Sequence, residues 1–208
     1  MIELFSSDTP NGKKITILLE EIGCDFKVTT IDLFKDEQFK SDFKKISPFR
    51  KIPVIVDNEN GISVFESGAI LMYLAEKYNK FYELKDRNVI NQWLMAQMGT
   101  IGPMLGQHHQ FHHYNPGKSK FGEERFFKIA KRLYGELDER LASSKFLAGS
   151  NYTIADIATW PWIARHEWHD VGLKSYKNLT RWYIGISKRE AVIRGYQFMN
   201  KKEFPPQP

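Results

Sequence analysis

The stretch from Lys51 to Ile70 constrains the fold more than any other part of the chain. Val54-Ile55-Val56 is a β-branched run bounded by proline and aspartate, which is typical of a short buried strand. Asn60-Gly61 predicts a tight hairpin turn before a second strand. Beyond it, apolar residues recur with helical spacing at Ile70, Leu71, Leu74 and Ala75. The stretch therefore predicts a strand, a hairpin, a second strand and a helix in direct succession.

The start of this helix has the chemistry of a receptor for an amino acid. Ser67 stands where strand spacing changes to helical spacing, and we predict that it caps the helix. The free N–H groups at a helix start bind carboxylates, and Glu66 beside them can pair with an ammonium. The two residues together suit a head group that carries both charges.

The elements before this stretch complete a known pattern. Ile2–Phe5 is predicted to be a strand, and the helix that follows ends at Gly23. A second strand is predicted at Phe26–Leu33 and a basic helix at Gln38–Ile46. The order β-α-β-α-β-β-α is thioredoxin-like, with a parallel pair first and an antiparallel hairpin last.

The second half of the chain is predicted to be all-helical. A long helix at 88–113, broken near Gly102-Pro103, is followed by an amphipathic helix at 122–141. Thr153 and Asp156 form a capping signal for a third helix, and 179–199 supplies more. We therefore predict a mixed α/β domain at 1–80 and an all-helical domain at 87–200. The proline-rich end, 201–208, is predicted to be a flexible tail, with a polyproline ligand as the alternative.

Composition excludes several classes of function. A chain of 208 residues that is 42% hydrophobic can build a sizeable core. A single cysteine excludes an intramolecular disulfide and favours a reducing compartment. The chain shows no long apolar run and no basic leader, so we expect a cytoplasmic protein without a membrane span. The net charge of +5 is scattered rather than gathered into a stripe, and we expect no nucleic-acid partner.

Several motifs resemble one family. Ile52-Pro53-Val54 followed by Phe65-Glu66-Ser67-Gly68-Ala69-Ile70 resembles the glutathione-binding half of the glutathione S-transferase superfamily. The loop Thr9-Pro10-Asn11-Gly12 and the segment 102–107 resemble its nu-class, or disulfide-bond oxidoreductase, branch. The resemblance spans residues 2–195. It implies the glutathione transferase fold, glutathione as co-substrate, no metal, and a homodimer.

The resemblance also implies roles for individual residues. Pro53 is expected to be cis, with the backbone of Ile52 pairing with the cysteinyl part of glutathione. Phe49-Arg50 departs from the family pattern, in which asparagine is frequent, so the shape of this loop is open. The remaining roles are the sulfur site at Thr9 and Asn11, the γ-glutamyl site at Glu66 and Ser67, the glycyl carboxylate site at Gln38 and Lys51, and a contribution across the dimer by Arg125 of the partner subunit.

The expected chemistry centres on a glutathione thiolate. A free thiol has a pKa of about 8.5, and a helix N-terminus with nearby donors lowers it. The Asn11 amide can donate a hydrogen bond to a thiolate but cannot take its proton. We expect reduction of a small disulfide or hydroperoxide. Conjugation of electrophiles and a non-catalytic scaffold are the alternatives, and on local sequence alone Thr9–Gly12 also fits a plain helix cap.

A dense histidine cluster follows the helix break. His108 and His112, like His109 and His113, stand four residues apart, which would also suit a metal site on a helix or an exposed helix end. We interpret the segment as the lining of a substrate cleft formed by Gln107, His108, His109 and His112, without a metal.

Overall fold

A computed structural model describes residues 1–200 and 203–208. Its contacts group the chain into two compact units. The first comprises Met1–Tyr82 and Arg189–Phe204, and the second comprises Glu83–Lys188 and Pro205–Pro208. The first unit holds a thioredoxin-like sheet and the second is helical, so the predicted fold class is confirmed.

The helices of the described residues are numbered in chain order. They are α1 (Pro10–Ile22), α2 (Ser41–Ile46), α3 (Ser67–Tyr78), α4 (Arg87–Ala96), α5 (Gly102–His108), α6 (Lys120–Ala142), α7 (Ile154–Ile163), α8 (His166–His169), α9 (Lys177–Ser187) and α10 (Glu190–Gln197). Within this part of the chain, no helix is both long enough and apolar enough to cross a membrane.

The sheet of the first unit has the strand order β2-β1-β3-β4. β1 pairs in parallel with β2, whereas the β1–β3 and β3–β4 pairs are antiparallel. Leu4 lies opposite Val28 on one side and Ile55 on the other, and Leu4 and Ile55 are fully buried. The centre of the sheet is therefore buried, as the β-branched run of β3 predicts. The strands are β1 (Ile2–Ser6), β2 (Phe26–Thr30), β3 (Val54–Asp57) and β4 (Ile62–Phe65).

Two element bounds of the first unit differ from the sequence-based prediction. β2 ends at Thr30 rather than Leu33, because the Asp32 carboxylate accepts from the N–H of Phe34 (3.0 Å) and starts a 3-10 turn. α2 begins at Ser41 rather than Gln38, after a left-handed residue at Asp36 with φ 56°. In both places a local turn replaces the predicted element.

Helix α10, the last one among the described residues, belongs to the first unit. It packs on α1, and a Cβ on Gly195 would lie 2.6 Å from the Cα of Ile17. The Thr16 hydroxyl donates to the Gly195 carbonyl at 2.7 Å. The domain limits drawn from the sequence, 1–80 and 87–200, therefore differ from the structural grouping at 189–200. The prediction that 1–80 and 87–200 are the limits of two domains stays a prediction.

The helical unit contains two of the predicted helix signals. The predicted long helix at 88–113 is built from α4, a π-helical segment at Gln97–Ile101, α5 and a second π-helical segment at His109–Tyr114. A reciprocal capping box between Thr153 and Asp156 starts α7, as predicted.

Of the predicted tail, 201–202 lie outside the described residues. Pro205 is buried and the Pro206 carbonyl accepts from the Tyr183 hydroxyl at 2.7 Å.

Candidate functional site

The loop before α1 is built to present the start of a helix. Thr9 is extended, and its hydroxyl accepts from the N–H of Gly12 at 3.1 Å. Pro10 is the first helical residue, where the missing N–H costs nothing. A Cβ on Gly12 would lie 2.3 Å from the Ser7 carbonyl oxygen, so only glycine fits. Asn11 is held, half-buried, in the first turn, where the helix dipole favours an anion.

The segment before β3 is fixed by one buried hydroxyl. Ser47 Oγ accepts from the N–H of Lys51 (3.0 Å) and donates to the carbonyl of Lys51 (2.8 Å). Arg50 within this loop has φ 54°. The Ile52–Pro53 peptide that follows is cis, as the family resemblance implied.

The start of α3 brings an acid, a hydroxyl and a buried ammonium together. Glu66 precedes the helix with φ 70° and is exposed, whereas Ser67 is 3% exposed. The helix begins at Ser67, with Glu66 in the capping position, so the prediction that Ser67 is the cap residue is wrong. Its hydroxyl instead accepts from the Nζ of Lys14 at 3.2 Å.

Lys14 is a residue of this region that sequence reasoning missed. It is 1% exposed, and burial lowers its pKa to about 7, an effect that the Glu66 carboxylate partly offsets. The positive charges are scattered along the sequence, but the side chains of Lys13 and Lys14 are both buried. A signal was present: Lys14 lies four residues before Leu18, on the apolar stripe of α1.

The residues expected at the glycyl carboxylate lie apart from this cluster in sequence. Gln38 is half-buried in a 3-10 turn, and its amide nitrogen reaches Asp36 Oδ1 at 3.5 Å. Its Oε1 is buried and has no hydrogen-bond partner among the described residues. Lys51 is exposed. Their shared role at the glycyl carboxylate stays a prediction.

Burial corrects the interpretation of the histidine cluster as a cleft lining. His108 is fully buried and its Nε2 lies 2.9 Å from the carbonyl of His169. His109 is 5% exposed and stacks on the ring of His169 at 4.8 Å. Neither imidazole is open to a substrate within the helical unit. Gln107 is exposed and His112 is half-buried. Of the four residues predicted to line the cleft, these two are the ones accessible to solvent.

The buried imidazoles form part of an aromatic core. The Tyr134 hydroxyl bonds to Nδ1 of His169 at 2.7 Å, and His109 also stacks near Trp162. Burial lowers the pKa of His109 to about 3 and that of His169 well below its usual value. Both rings are neutral at pH 7. No group of three or more ligating side chains within 1–200 and 203–208 has the geometry to hold a metal ion.

Arg125 lies on the exposed side of α6. Its guanidinium sits 6.0 Å from the ring of Phe126. It shares a shallow surface groove of the helical unit with Phe121, Glu124, Lys128 and Ile129.

Comparison with known proteins identifies the family. The profile of the glutathione S-transferase N-terminal domain matches residues 2–76, and that of the C-terminal domain matches residues 103–190. The chain belongs to the glutathione S-transferase family. Transferases of this family hold glutathione in solved structures, and the thioredoxin-like unit with its cis proline fits that membership.

Three relatives show where in the family the chain lies. The disulfide-bond oxidoreductase YfcG of Escherichia coli is 44% identical over 92% of this chain and 93% of its own. A glutathione transferase from Burkholderia graminis, solved with two glutathione molecules per subunit, superposes with a TM-score of 0.91 at 35% identity, over 96% of this chain and 89% of its own. One from Pseudomonas putida, solved with one glutathione disulfide per subunit, has a TM-score of 0.88 at 38% identity, over 94% and 90%.

Proposed function

We propose that this glutathione S-transferase family member is a glutathione-dependent disulfide-bond oxidoreductase whose nucleophile is a bound glutathione thiolate. The observation that carries the proposal is the Thr9–Gly12 loop, which presents a capped helix start without a cysteine. A dithiol reductase needs protein thiols at this position. Here the single cysteine, Cys24, lies beyond the far end of α1, and burial raises the pKa of its thiol. The nucleophilic sulfur must therefore arrive with a ligand.

The proposed roles follow the chemistry of each group. Glu66 pairs with the γ-glutamyl ammonium, and the free N–H groups of α3 with Ser67 bind its carboxylate. The backbone of Ile52 pairs with the cysteinyl residue, and Thr9 and Asn11 donate toward the sulfur at the start of α1. The glycyl carboxylate is assigned to Gln38 and Lys51. Arg125 of the partner subunit completes the site in a homodimer.

The reaction balances with two glutathione molecules. The bound thiolate attacks one sulfur of a small disulfide, which forms a mixed disulfide and expels one thiolate. A second glutathione attacks the mixed disulfide, which yields glutathione disulfide and the second substrate thiolate. The transferase from B. graminis, with two bound glutathiones, supports the start of this reaction. The transferase from P. putida, with bound glutathione disulfide, supports its end.

The same thiolate suits a hydroperoxide. Attack on the outer oxygen would break the O–O bond, release an alcohol and leave a glutathione sulfenic acid. A second glutathione would convert this acid to glutathione disulfide and water. We include this activity in the proposal as secondary to disulfide reduction.

Two assays on the purified protein decide between the proposal and its alternatives. We expect glutathione-dependent reduction of bis(2-hydroxyethyl) disulfide to proceed at least tenfold faster than conjugation of a chloronitroarene. Faster conjugation would instead assign an electrophile transferase. Tight glutathione binding by calorimetry without either turnover would assign a non-catalytic scaffold.

A further inference from the structure

The ammonium of Lys13 joins two parts of the first unit that are far apart in sequence. It lies 2.8 Å from the Asp8 carboxylate, 2.9 Å from the Glu203 carboxylate and 2.8 Å from the Tyr196 carbonyl. It also stands 3.8 Å from the centre of the Tyr196 ring. The Lys13 side chain is only 3% exposed. A buried ammonium has three N–H donors, and three oxygen acceptors satisfy them here.

One end of this connection is the loop at the candidate thiol site. Asp8 directly precedes Thr9, whose hydroxyl and carbonyl accept from the N–H groups of Gly12 and Lys13 at 3.1 and 2.9 Å. The Asp8–Lys13 pair therefore folds the loop back onto the first turn of α1. One peptide bond joins Asp8 to Thr9, and Thr9 is bonded in turn to the first turn of α1, which contains Asn11.

The other end is anchored firmly. Tyr196 lies in α10, which the Gly195 contact and the Thr16 hydrogen bond hold against α1. The Tyr196 hydroxyl donates to Glu203 Oε1 at 3.3 Å. The carbonyl of Tyr196 and the carboxylate of Glu203 thus both face the Lys13 ammonium.

We propose that Lys13 is a positioning residue for the thiol site, acting through Asp8 and held by Tyr196 and Glu203. It sets the geometry of the Thr9–Asn11 loop. It also neutralises carboxylate charge that would otherwise oppose a thiolate at the start of α1. The role in thiolate chemistry rests on the proposed function, whereas the mechanical link between the C-terminal segment and the loop does not.

The first experiment measures the mechanical link. Amide hydrogen exchange at Gly12 and at position 13 reports opening of the two hydrogen bonds to Thr9. We expect Lys13→Met and Glu203→Gln to speed this exchange at least fivefold, and Lys13→Arg to restore most of the protection. Lys45→Met, which breaks the exposed Lys45–Asp42 pair, serves as the matched control and should leave it unchanged.

The second experiment measures the chemistry. In Lys13→Met, the thiol pKa of bound glutathione, read from thiolate absorbance, should rise by roughly one unit. The kcat/KM for disulfide reduction at pH 7 should fall about tenfold and recover at pH 9, a pH dependence that mere loss of packing would not produce. Lys13→Arg should keep the profile of the unaltered protein.

The two readouts separate the possible failures. If Lys13→Met does not fold, Glu203→Gln and Asp8→Asn, at partly exposed carboxylates, carry the exchange test. If the amide exchange rates at Gly12 and position 13 in both Glu203→Gln and Asp8→Asn stay within twofold of those in the unaltered protein, the proposal is overturned. An unaltered protein that does not reduce disulfides would overturn the proposed function instead, and the exchange data would still judge the link.

Discussion

Asn11 holds a half-buried position in the first turn of α1, next to the Thr9 cap. If its amide donates to the glutathione sulfur, Asn11→Ala should raise the thiol pKa by about one to two units, since such a bond contributes about 1.5–3 kcal/mol. Disulfide reduction at neutral pH should slow and recover at higher pH. A pH–rate profile of the variant beside the unaltered protein checks this.

Asn11→Asp separates the hydrogen bond from the shape of the side chain. A carboxylate beside the sulfur repels the thiolate, so this variant should be slower than Asn11→Ala at pH 7. An unchanged profile in Asn11→Ala would reduce Asn11 to a helix-start residue and move thiolate stabilisation to Thr9.

If the γ-glutamyl group binds at the start of α3 as proposed, Lys14 should make its recognition pH-dependent. Its pKa of about 7 means that the ammonium beneath Ser67 loses its proton across the neutral range. Affinity for S-methylglutathione, which has no titrating thiol, should therefore fall between pH 6 and pH 8. In Lys14→Met the affinity should be weaker by about tenfold at pH 6, the equivalent of about 1.4 kcal/mol, and flat with pH.

Calorimetry with this ligand at three pH values measures the effect. If the affinity of Lys14→Met for S-methylglutathione varies with pH as in the unaltered protein, Lys14 is not the source of the pH dependence. Lys80→Met is a suitable control, because Lys80 is an exposed lysine that donates to the carbonyl of Ile22 at the other end of α1.

At the residue scale, the family resemblance implied the cis proline, which the structure contains, whereas the site roles of Thr9 and Glu66 stay predictions. Sequence reasoning failed at Lys13 and Lys14 because a pair of lysines near a helix start normally faces water. Their burial depends on α3 and α10, and α10 lies about 180 residues further along the chain, where no periodicity in α1 can indicate it.

Among the elements, the π-helical segment at His109–Tyr114 and helix α8 place imidazoles in the interior of the helical unit. An unfolded chain protonates histidine below a pKa of about 6.5, whereas folded His109 stays neutral down to about 3. The folded state therefore binds fewer protons in this window. The contribution of neutral His109 to the free energy of unfolding is fully present above pH 6.5. It is lost as the pH falls from 6.5 towards 3, by about 1.4 kcal/mol per pH unit.

Urea denaturation at pH 7, 6 and 5 tests this dependence. His109→Phe should remove one such slope relative to the unaltered protein. Burial raises the pKa of Asp156 to about 6, which acts in the opposite direction, but this contribution is common to both proteins and cancels in the difference. Parallel pH curves for the two proteins would show that His109 titrates in the folded chain.

Element order was predictable and element detail was not. The β-branched run at Val54-Ile55-Val56 and the turn signal at Asn60-Gly61 predicted the β3–β4 hairpin, and the capping signal at Thr153 and Asp156 predicted the start of α7. The histidine spacing had three readings on sequence alone. Only the stacking of His109 on His169 and the Tyr134 hydrogen bond show that the rings belong to the core.

For the whole molecule, we expect a homodimer at micromolar concentration. The exposed groove on α6 combines Phe121, which is 75% exposed, with Arg125. Arg125→Ala should weaken glutathione binding about tenfold, because a charge-assisted bond to the ligand in the partner's site is lost. Sedimentation and calorimetry on both proteins measure this. A monomer with full activity would contradict both the assembly and the role of Arg125.

The return of α10 to the first unit has a consequence during synthesis. Ribosomes add about 5–20 residues per second, so roughly 6–24 s separate the exit of Tyr82 from that of Phe204. Throughout that interval α1 lacks the helix that covers Ile17 and the carbonyl that receives Lys13. The unit translated first is thus completed only after helices α4 to α9 of the second unit have been made. A nascent chain that stalls anywhere before α10 would display an unfinished N-terminal half to chaperones and proteases.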